Sequence, residues 1–401
     1  MQDFNNILSR TLTDYLDYDP EHAVEEIVKV VFEALLVSER TEFLAHSSSS
    51  NKGNGYYGRL ARILDKYLTI QVPRDREGHF QPVTLELLKL QDQRLQDLSF
   101  QLYVKGLSTR EISSLLKENF GKRFSPSSIS RITGEFQKIR ESWEQRPLEK
   151  EYLFLYVDAL WIPVRRGNSV EKEAFYVVMG LKTDLKREVL GVYNIPTESA
   201  CGWQETFKQL KRRGLRNCLM VIADGITGLE DVVAMELPSA HLQKCLLHKL
   251  RNILVKARTS DKEEIVKDFW QVFQLENQNY TIKEGRKRLK AFIEKWKKNY
   301  SHIGRRFKEE HLPCYFAYLN YPHQIHRMIY TTNWIERLMK TIRRTQRLRN
   351  AFPNEDSAMN LICAAIMDME EKVYKYQITS IKPVVDILKE RLKTPPQTQF
   401  S

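Results

Sequence analysis

A chain of 401 residues is longer than one typical domain and implies two or three, each with its own core. With 42% hydrophobic and 28% charged residues, the composition excludes a disordered or low-complexity chain. No apolar run is long enough to span a bilayer, and the opening residues lack the basic-then-apolar order of a signal peptide, so an intracellular protein without membrane contact is expected. The net charge of +12 is uneven: residues 1–50 hold ten acids against three bases, so the remainder carries +19. Such an excess points to a polyanionic partner, nucleic acid before an anionic membrane or an acidic protein. Five scattered cysteines without a Cys-x-x-Cys pair argue for reduced thiols.

In chain order, residues 21–43 carry apolar side chains at helical spacing (Ile27, Val30, Val31, Ala34, Leu35), so 1–50 reads as an acidic helical region. The polar, glycine-containing stretch 46–55 reads as a linker, followed by a short strand over 68–72 and a basic turn over 73–78, which makes 51–92 a linker and small basic region. Three short helices are predicted between Leu95 and Ile139. Ser108 with Glu111 forms a capping box, and Ser125-Pro126 supplies an N-cap with proline at the first helical position. The pattern over 93–140 is that of a helix-turn-helix whose last helix, 127–136, would enter the major groove, with Ser127, Ser128, Ser130 and Arg131 as contacts. Trihelical units of this size also serve packing alone.

From Tyr152 the texture becomes strands at 153–160, 174–181 and 189–195, a helix at 203–213 and a strand at 218–223, the opening of an α/β domain. Residues 260–318 are helical, rich in lysine and arginine and without strand pattern, and helices resume at Asn333 and over 355–376. Asp158 interrupts an otherwise buried strand, where an ionised carboxylate costs several kcal/mol unless it is paired or bound to a cation. Asp224 ends the strand Leu-Met-Val-Ile-Ala, and carboxylates at neighbouring strand ends converge on the crevice where α/β sheets bind ligands. A strand-end Asp can also merely cap the next helix. Glu336 has two readings. Asn333-Trp-Ile-Glu336 is an acceptable capping box, yet the helical spacing groups Glu336 with Lys340, Arg343 and Arg347, opposite Ile335, Leu338, Met339 and Ile342, as suits a metal ligand beside phosphate-gripping cations.

Three carboxylates match phosphoryl transfer on DNA, in which two hard cations about 4 Å apart activate the attacking oxygen and stabilise the leaving one. The expected ions are two Mg²⁺, with Mn²⁺ as a substitute. Cys245 and His248 stand one helical turn apart, and His311 with Cys314 offers a possible second half of a zinc site. Their separation of 63 residues, and the lack of short zinc-finger spacing, favour local packing or a polar contact in the active site.

These residues resemble the Mutator-type bacterial insertion-sequence transposases, a DDE family with a ribonuclease-H-like core. The shared features are Asn-Gly-Tyr-Tyr57, Val-Pro-Arg-Asp-Arg76, Gly-Leu-Ser-Thr-Arg-Glu-Ile112, Asp158, Arg-Gly-Leu215, Asp224 with Gly228-Leu229, Gln243-Lys-Cys245, His248 with Arg251-Asn252, and Thr-Thr-Asn333 with Glu336. The resemblance implies that Asp158, Asp224 and Glu336 form the catalytic, metal-holding triad, accompanied by Cys245 and His248. It also implies a mixed sheet of order 3-2-1-4-5 split into 150–245 and 326–376 around a helical insertion at 246–325, with a tail at 377–401. DNA contacts are expected from Arg251, Lys340, Arg343, Arg344 and Arg347. The partners implied are the inverted repeats of the element, target DNA and further copies of the chain, in the cytoplasm of a bacterium at its nucleoid. Met339 departs from the family, whose members often have Asn there. A nuclease that stops at hydrolysis, or an inert DNA-binding regulator, are the alternative functions.

Overall fold

The computed structural model describes residues 20–47, 51–63, 66–120, 126–195, 200–226, 228–347 and 351–393. The chain divides into a unit ending at Glu135 and a second beginning at Phe136.

In the N-terminal unit, α1 (Pro20–Ala45) presents Val28, Phe32 and Leu36, four residues apart, to one face of an antiparallel ribbon of β1 (Gly53–Ile63) and β2 (Lys66–Asp75). Ala61, Ile70 and Val72 of the ribbon and Leu85 and Leu88 of α2 (Val83–Val104) complete this core. Glu39 receives the N–H and hydroxyl of Thr84 and so fastens the start of α2 to α1. A smaller core of Tyr103, Ile112 and Leu116 joins α2 to α3 (Thr109–Phe120), whose capping box is formed: Glu111 N–H donates to Ser108 Oγ (3.2 Å) and Ser108 N–H to Glu111 Oε2 (2.7 Å). Two expectations are corrected here. The stretch read as a linker becomes strand from Gly53 on, paired with β2, which contains the short strand expected over 68–72. The first of the three helices is also long, because apolar burial of Leu85 and Leu88 begins it at Val83. The last, α4 (Pro126–Gln145), starts at its proline and runs past the expected 136; the side chains of Ser127, Ser128, Ser130 and Arg131 lie outside the described residues.

The second unit is built on a five-stranded mixed sheet of spatial order β5-β4-β3-β6-β7: β3 (Glu151–Arg166), β4 (Ser169–Lys182), β5 (Arg187–Asn194), β6 (Asn217–Ala223) and β7 (His241–Lys244). β4 runs antiparallel to β3 and β5, whereas β6 is parallel to β3 and β7. On one face, Trp203, Phe207 and Leu210 of α5 (Ala200–Arg212) and Val232 and Val233 of α6 (Leu229–Glu236) pack against Leu155, Val157, Tyr176, Val178 and Val221. The helices Asn333–Gln346 and Glu355–Met369 also pack on the sheet. With both faces covered, residues 152–157 of β3 are buried without alternation, which explains their unbroken apolar run.

After β7 come α7 (Leu246–Leu254), α8 (Lys262–Val272), α9 (Ile282–Trp296), α10 (Ser301–Arg306), α11 (Pro313–Phe316) and α12 (His326–Ile329), with 3-10 turns and, among the described residues, no strand. Rings hold this segment together: Phe273 stacks on Phe316 at 5.1 Å, and a Cβ at Gly285 would fall 2.5 Å from the Phe316 ring. α13 (Asn333–Gln346) and α14 (Glu355–Met369) follow. The segment read as a C-terminal tail forms a 3-10 turn and α15 (Val385–Lys393), which buries Leu388 and Leu392 and packs on β6 and β3. No described helix is long and apolar enough to cross a membrane.

Candidate active site

Pairing of β3 with β6 ends at Val157 and Ala223, so Asp158, in the middle of β3 and still paired with Val177 of β4, and Asp224, just past the end of β6, are each the first residue beyond the parallel pair and stand side by side. Asp158 is 5% exposed. Its Oδ1 accepts the N–H of Ala159 (2.9 Å), while its buried Oδ2 has no hydrogen-bond partner among the described residues. Burial pushes its carboxyl up to about 6, against the pull of His248, the Ala159 N–H and Arg343, with Asp224 adding to the rise. Asp224 accepts the Gly225 N–H at 2.6 Å through Oδ1 and leaves Oδ2 3.9 Å from His248 Nδ1.

His248 is on α7, one turn after Cys245, which is the N-cap residue of that helix and whose N–H donates to Ala223 O (2.7 Å). The N-terminus of α13 meets α7 here. Thr332 donates its N–H and hydroxyl to Cys245 Sγ, both at 3.5 Å, and its hydroxyl lies 3.4 Å from His248 Nδ1. One turn into α13, Glu336 places Oε1 3.7 Å from His248 Nε2 and 2.8 Å from the Arg251 guanidinium. The imidazole therefore touches two of the three carboxylates and acts electrostatically on the third. Burial alone would lower its pKa, but the hydrogen bond and charge of Cys245, with Asp224 and Asp158, raise it to about 9. As an imidazolium it offsets part of the repulsion among the carboxylates.

Glu336 departs from both sequence readings of its helix. Its carboxylate does not cap α13, since the N-cap is Thr332 without a side-chain bond and the Glu336 carboxylate is paired with Arg251. Nor does it share the exposed basic side: it is buried together with Ile335, Leu338, Met339 and Ile342, while Lys340, Arg343, Arg344 and Arg347 are exposed. Arg251, read as a DNA contact, can afford Glu336 this burial because its guanidinium lies against the carboxylate. Met339, at the position where the family often has Asn, is fully buried in apolar surroundings.

The two possible halves of a zinc site are held by different partners. His311 Nδ1 pairs with Glu230 at 2.7 Å and Cys314 also bonds Glu230, whereas Cys245 and His248 meet at Thr332. All five cysteines are free. Three carboxylates supply the hard oxygen donors that Mg²⁺ prefers, and the unpartnered Asp158 Oδ2 is suited to a cation. As the side chains stand, no three His, Cys, Asp or Glu residues among those described surround a single metal position, and His248 lies between Asp224 and Glu336. Sequence reasoning missed Thr332 and the Arg251–Glu336 pair. The only signal was Thr331-Thr332 immediately before the helix.

The mixed sheet thus brings two aspartates of neighbouring strands and a third acid, returned from a distant helix, around one histidine. The sequence profile of the Mutator family of transposases matches residues 4–376. The chain is 33% identical over 370 residues to the transposase for insertion sequence element IS1201 of Lactobacillus helveticus, covering 89% of this chain and 96% of the relative. It is 30% identical over 354 residues to the transposase for IS905 of Lactococcus lactis (88% of each chain), and 29% over 377 residues to that for IS256 in transposon Tn4001 of Staphylococcus aureus (91% and 94%). The chain belongs to the Mutator family of transposases.

Proposed function

We propose that the chain cleaves and joins DNA strands at the inverted repeats of its own insertion sequence, with Asp158, Asp224 and Glu336 as the acid triad. The observation that carries this reading is the meeting of two aspartates from neighbouring strands and one distant glutamate around His248. Numbered from β3, the strand order is 3-2-1-4-5, which supports a ribonuclease-H-like core interrupted by the helical segment. The three acids would hold two Mg²⁺ ions, with Mn²⁺ as a substitute, and the ions would supply activation of the attacking oxygen and stabilisation of the leaving one. Arg251 must then leave Glu336, and its guanidinium becomes free for a phosphate. His248 and Cys245, both bonded to Thr332, hold the start of α13 and thereby position Glu336. The exposed Lys340, Arg343, Arg344 and Arg347 supply phosphate contacts to inverted-repeat and target duplexes. Helices α2 to α4 act as a helix-turn-helix that reads the element's ends through Ser127, Ser128, Ser130 and Arg131, and copies of the chain assemble on the DNA in the bacterial cytoplasm, at the nucleoid.

The test is a strand-transfer assay on a duplex with a pre-cut 3′-hydroxyl end in Mg²⁺. Joined product is expected. Hydrolysis without joining identifies a nuclease, and neither reaction in the presence of tight DNA binding identifies a regulator.

A further inference from the structure

The β1–β2 ribbon has one face packed on α1 and α2, while its other face is uncovered within the N-terminal unit. On that face Tyr56 is 52% and Leu60 64% exposed, and Gly58, Thr69 and Gln71 are exposed beside them, in the registers Gly58 with Gln71 and Leu60 with Thr69. The surface is therefore flat, with a phenol, a hydroxyl, an amide and one apolar side chain standing on it.

One end of the ribbon is strongly basic. Gly53 pairs with Asp75, and Arg76 N–H donates to Lys52 O at 2.7 Å, which brings Lys52, Arg74 and Arg76 together. Arg40 of α1 braces this end: it donates to the carbonyls of Gly55 and Arg74 and lies 5.0 Å over the Tyr56 ring, while Arg74 stacks 4.5 Å over Tyr57. The nearby acids are engaged elsewhere. Asp75 accepts from Asn51 and from the N–H groups of His79 and Phe80, Glu77 pairs with His79, and Glu33 accepts the Gln71 N–H. Among the described residues no carboxylate forms an ion pair with Lys52, Arg74 or Arg76. Exposed, unneutralised cations at the end of a rigid two-stranded ribbon complement a polyanion, and such a ribbon fits the major groove of B-DNA, roughly 12 Å wide.

We propose that the uncovered face of the β1–β2 ribbon is a duplex-DNA surface separate from the three-helix unit, with Lys52 and Arg76 on phosphates and Leu60, Thr69 and Gln71 toward base edges. This rests on the reading of the chain as a protein that acts on DNA. The experiment measures binding of the full chain to labelled duplex by fluorescence anisotropy from low to moderate salt. The double variant Lys52→Gln, Arg76→Gln, which breaks no side-chain bond described above, should retain the wild-type melting temperature and lower the slope of log affinity against log salt by about 1.8. The charge-keeping variant Lys52→Arg, Arg76→Lys should keep the wild-type slope. Leu60→Glu should weaken binding at least about tenfold by placing a carboxylate against the phosphates. If the wild type binds duplex while the Gln double variant and Leu60→Glu bind it with unchanged slope and affinity, the ribbon is not a DNA surface and the transposase reading stands. A wild type that binds no duplex at any salt overturns both.

Discussion

Asp75 and Asp158 make an informative pair. Asp75 ends β2 and Asp158 lies within β3; they are 4% and 5% exposed, one in the N-terminal unit and one in the sheet unit. Asp75 receives hydrogen bonds from Asn51 and from the N–H groups of His79 and Phe80, which overcome the effect of burial and hold its carboxyl down to about 2. Among the described residues Asp158 receives only the N–H of the next residue and keeps a buried oxygen unpartnered, and burial pushes its carboxyl up to about 6. The same side chain is thus bonded three times at the end of β2 and left with an unpartnered oxygen within the deeper-set β3. A fold that forms three bonds to one aspartate can do so for another, so the deficit at Asp158 is consistent with the cation-holding role proposed for it.

The largest effect expected from this contrast is on chemistry. Asp158→Asn, Asp224→Asn and Glu336→Gln should each cut cleavage and joining by orders of magnitude in Mg²⁺ while duplex affinity stays within about twofold of wild type. Normal cleavage by Glu336→Gln would remove Glu336 from the triad. Full activity of Asp158→Asn would reduce Asp158 to a second Asp75.

A smaller effect should be visible in metal-free protein. Because the folded pKa of Asp158 lies above the unfolded value of about 3.9, the folded state holds the extra proton between the two. Stability should therefore fall as pH rises from about 4 through about 6, by about 3 kcal/mol. Urea unfolding across that range should show this slope in wild type and its loss in Asp158→Asn, and Mg²⁺ at neutral pH should raise the wild-type midpoint only. Asp75 predicts the opposite sign. Asp75→Ala should lower the melting temperature of the N-terminal transition, with the full deficit above about pH 4 and its disappearance as pH falls through about 2. A deficit that persists in acid would assign the loss to packing. The smallest change is expected at the exposed Lys340: Lys340→Gln should alter stability by less than about 0.5 kcal/mol and lower the salt slope of DNA binding by about 0.9.

The contrast also explains what could be read before folding. Asp158 and Asp224 were legible because a charge in an apolar strand is conspicuous, and β3 to β6 were legible from the runs around them. Of the ribbon, β2 was legible over 68–72 and β1 was not, since Gly53, Gly55 and Gly58 give β1 the composition of a linker and its pairing with β2 is what makes it a strand. β7, His-Leu-Gln-Lys, has no apolar pattern and exists through its parallel pairing with β6. Helical spacing placed Glu336 among cations of its own helix; its burial depends on Arg251, 85 positions earlier, which no local pattern carries.

The distance between Asp224 and Glu336 has a consequence for how the protein is made. At roughly 5–20 residues per second, synthesis of the intervening stretch separates the second acid from the third by about 6 to 22 s. Until α13 docks on α7, Thr332 cannot meet Cys245 and His248 lacks one of its two carboxylate neighbours. A chain terminated anywhere inside the helical segment keeps the N-terminal unit, the ribbon and two aspartates, and it lacks the glutamate. Premature termination or proteolysis there yields a chain that has neither Glu336 nor the Thr332 contacts to Cys245 and His248.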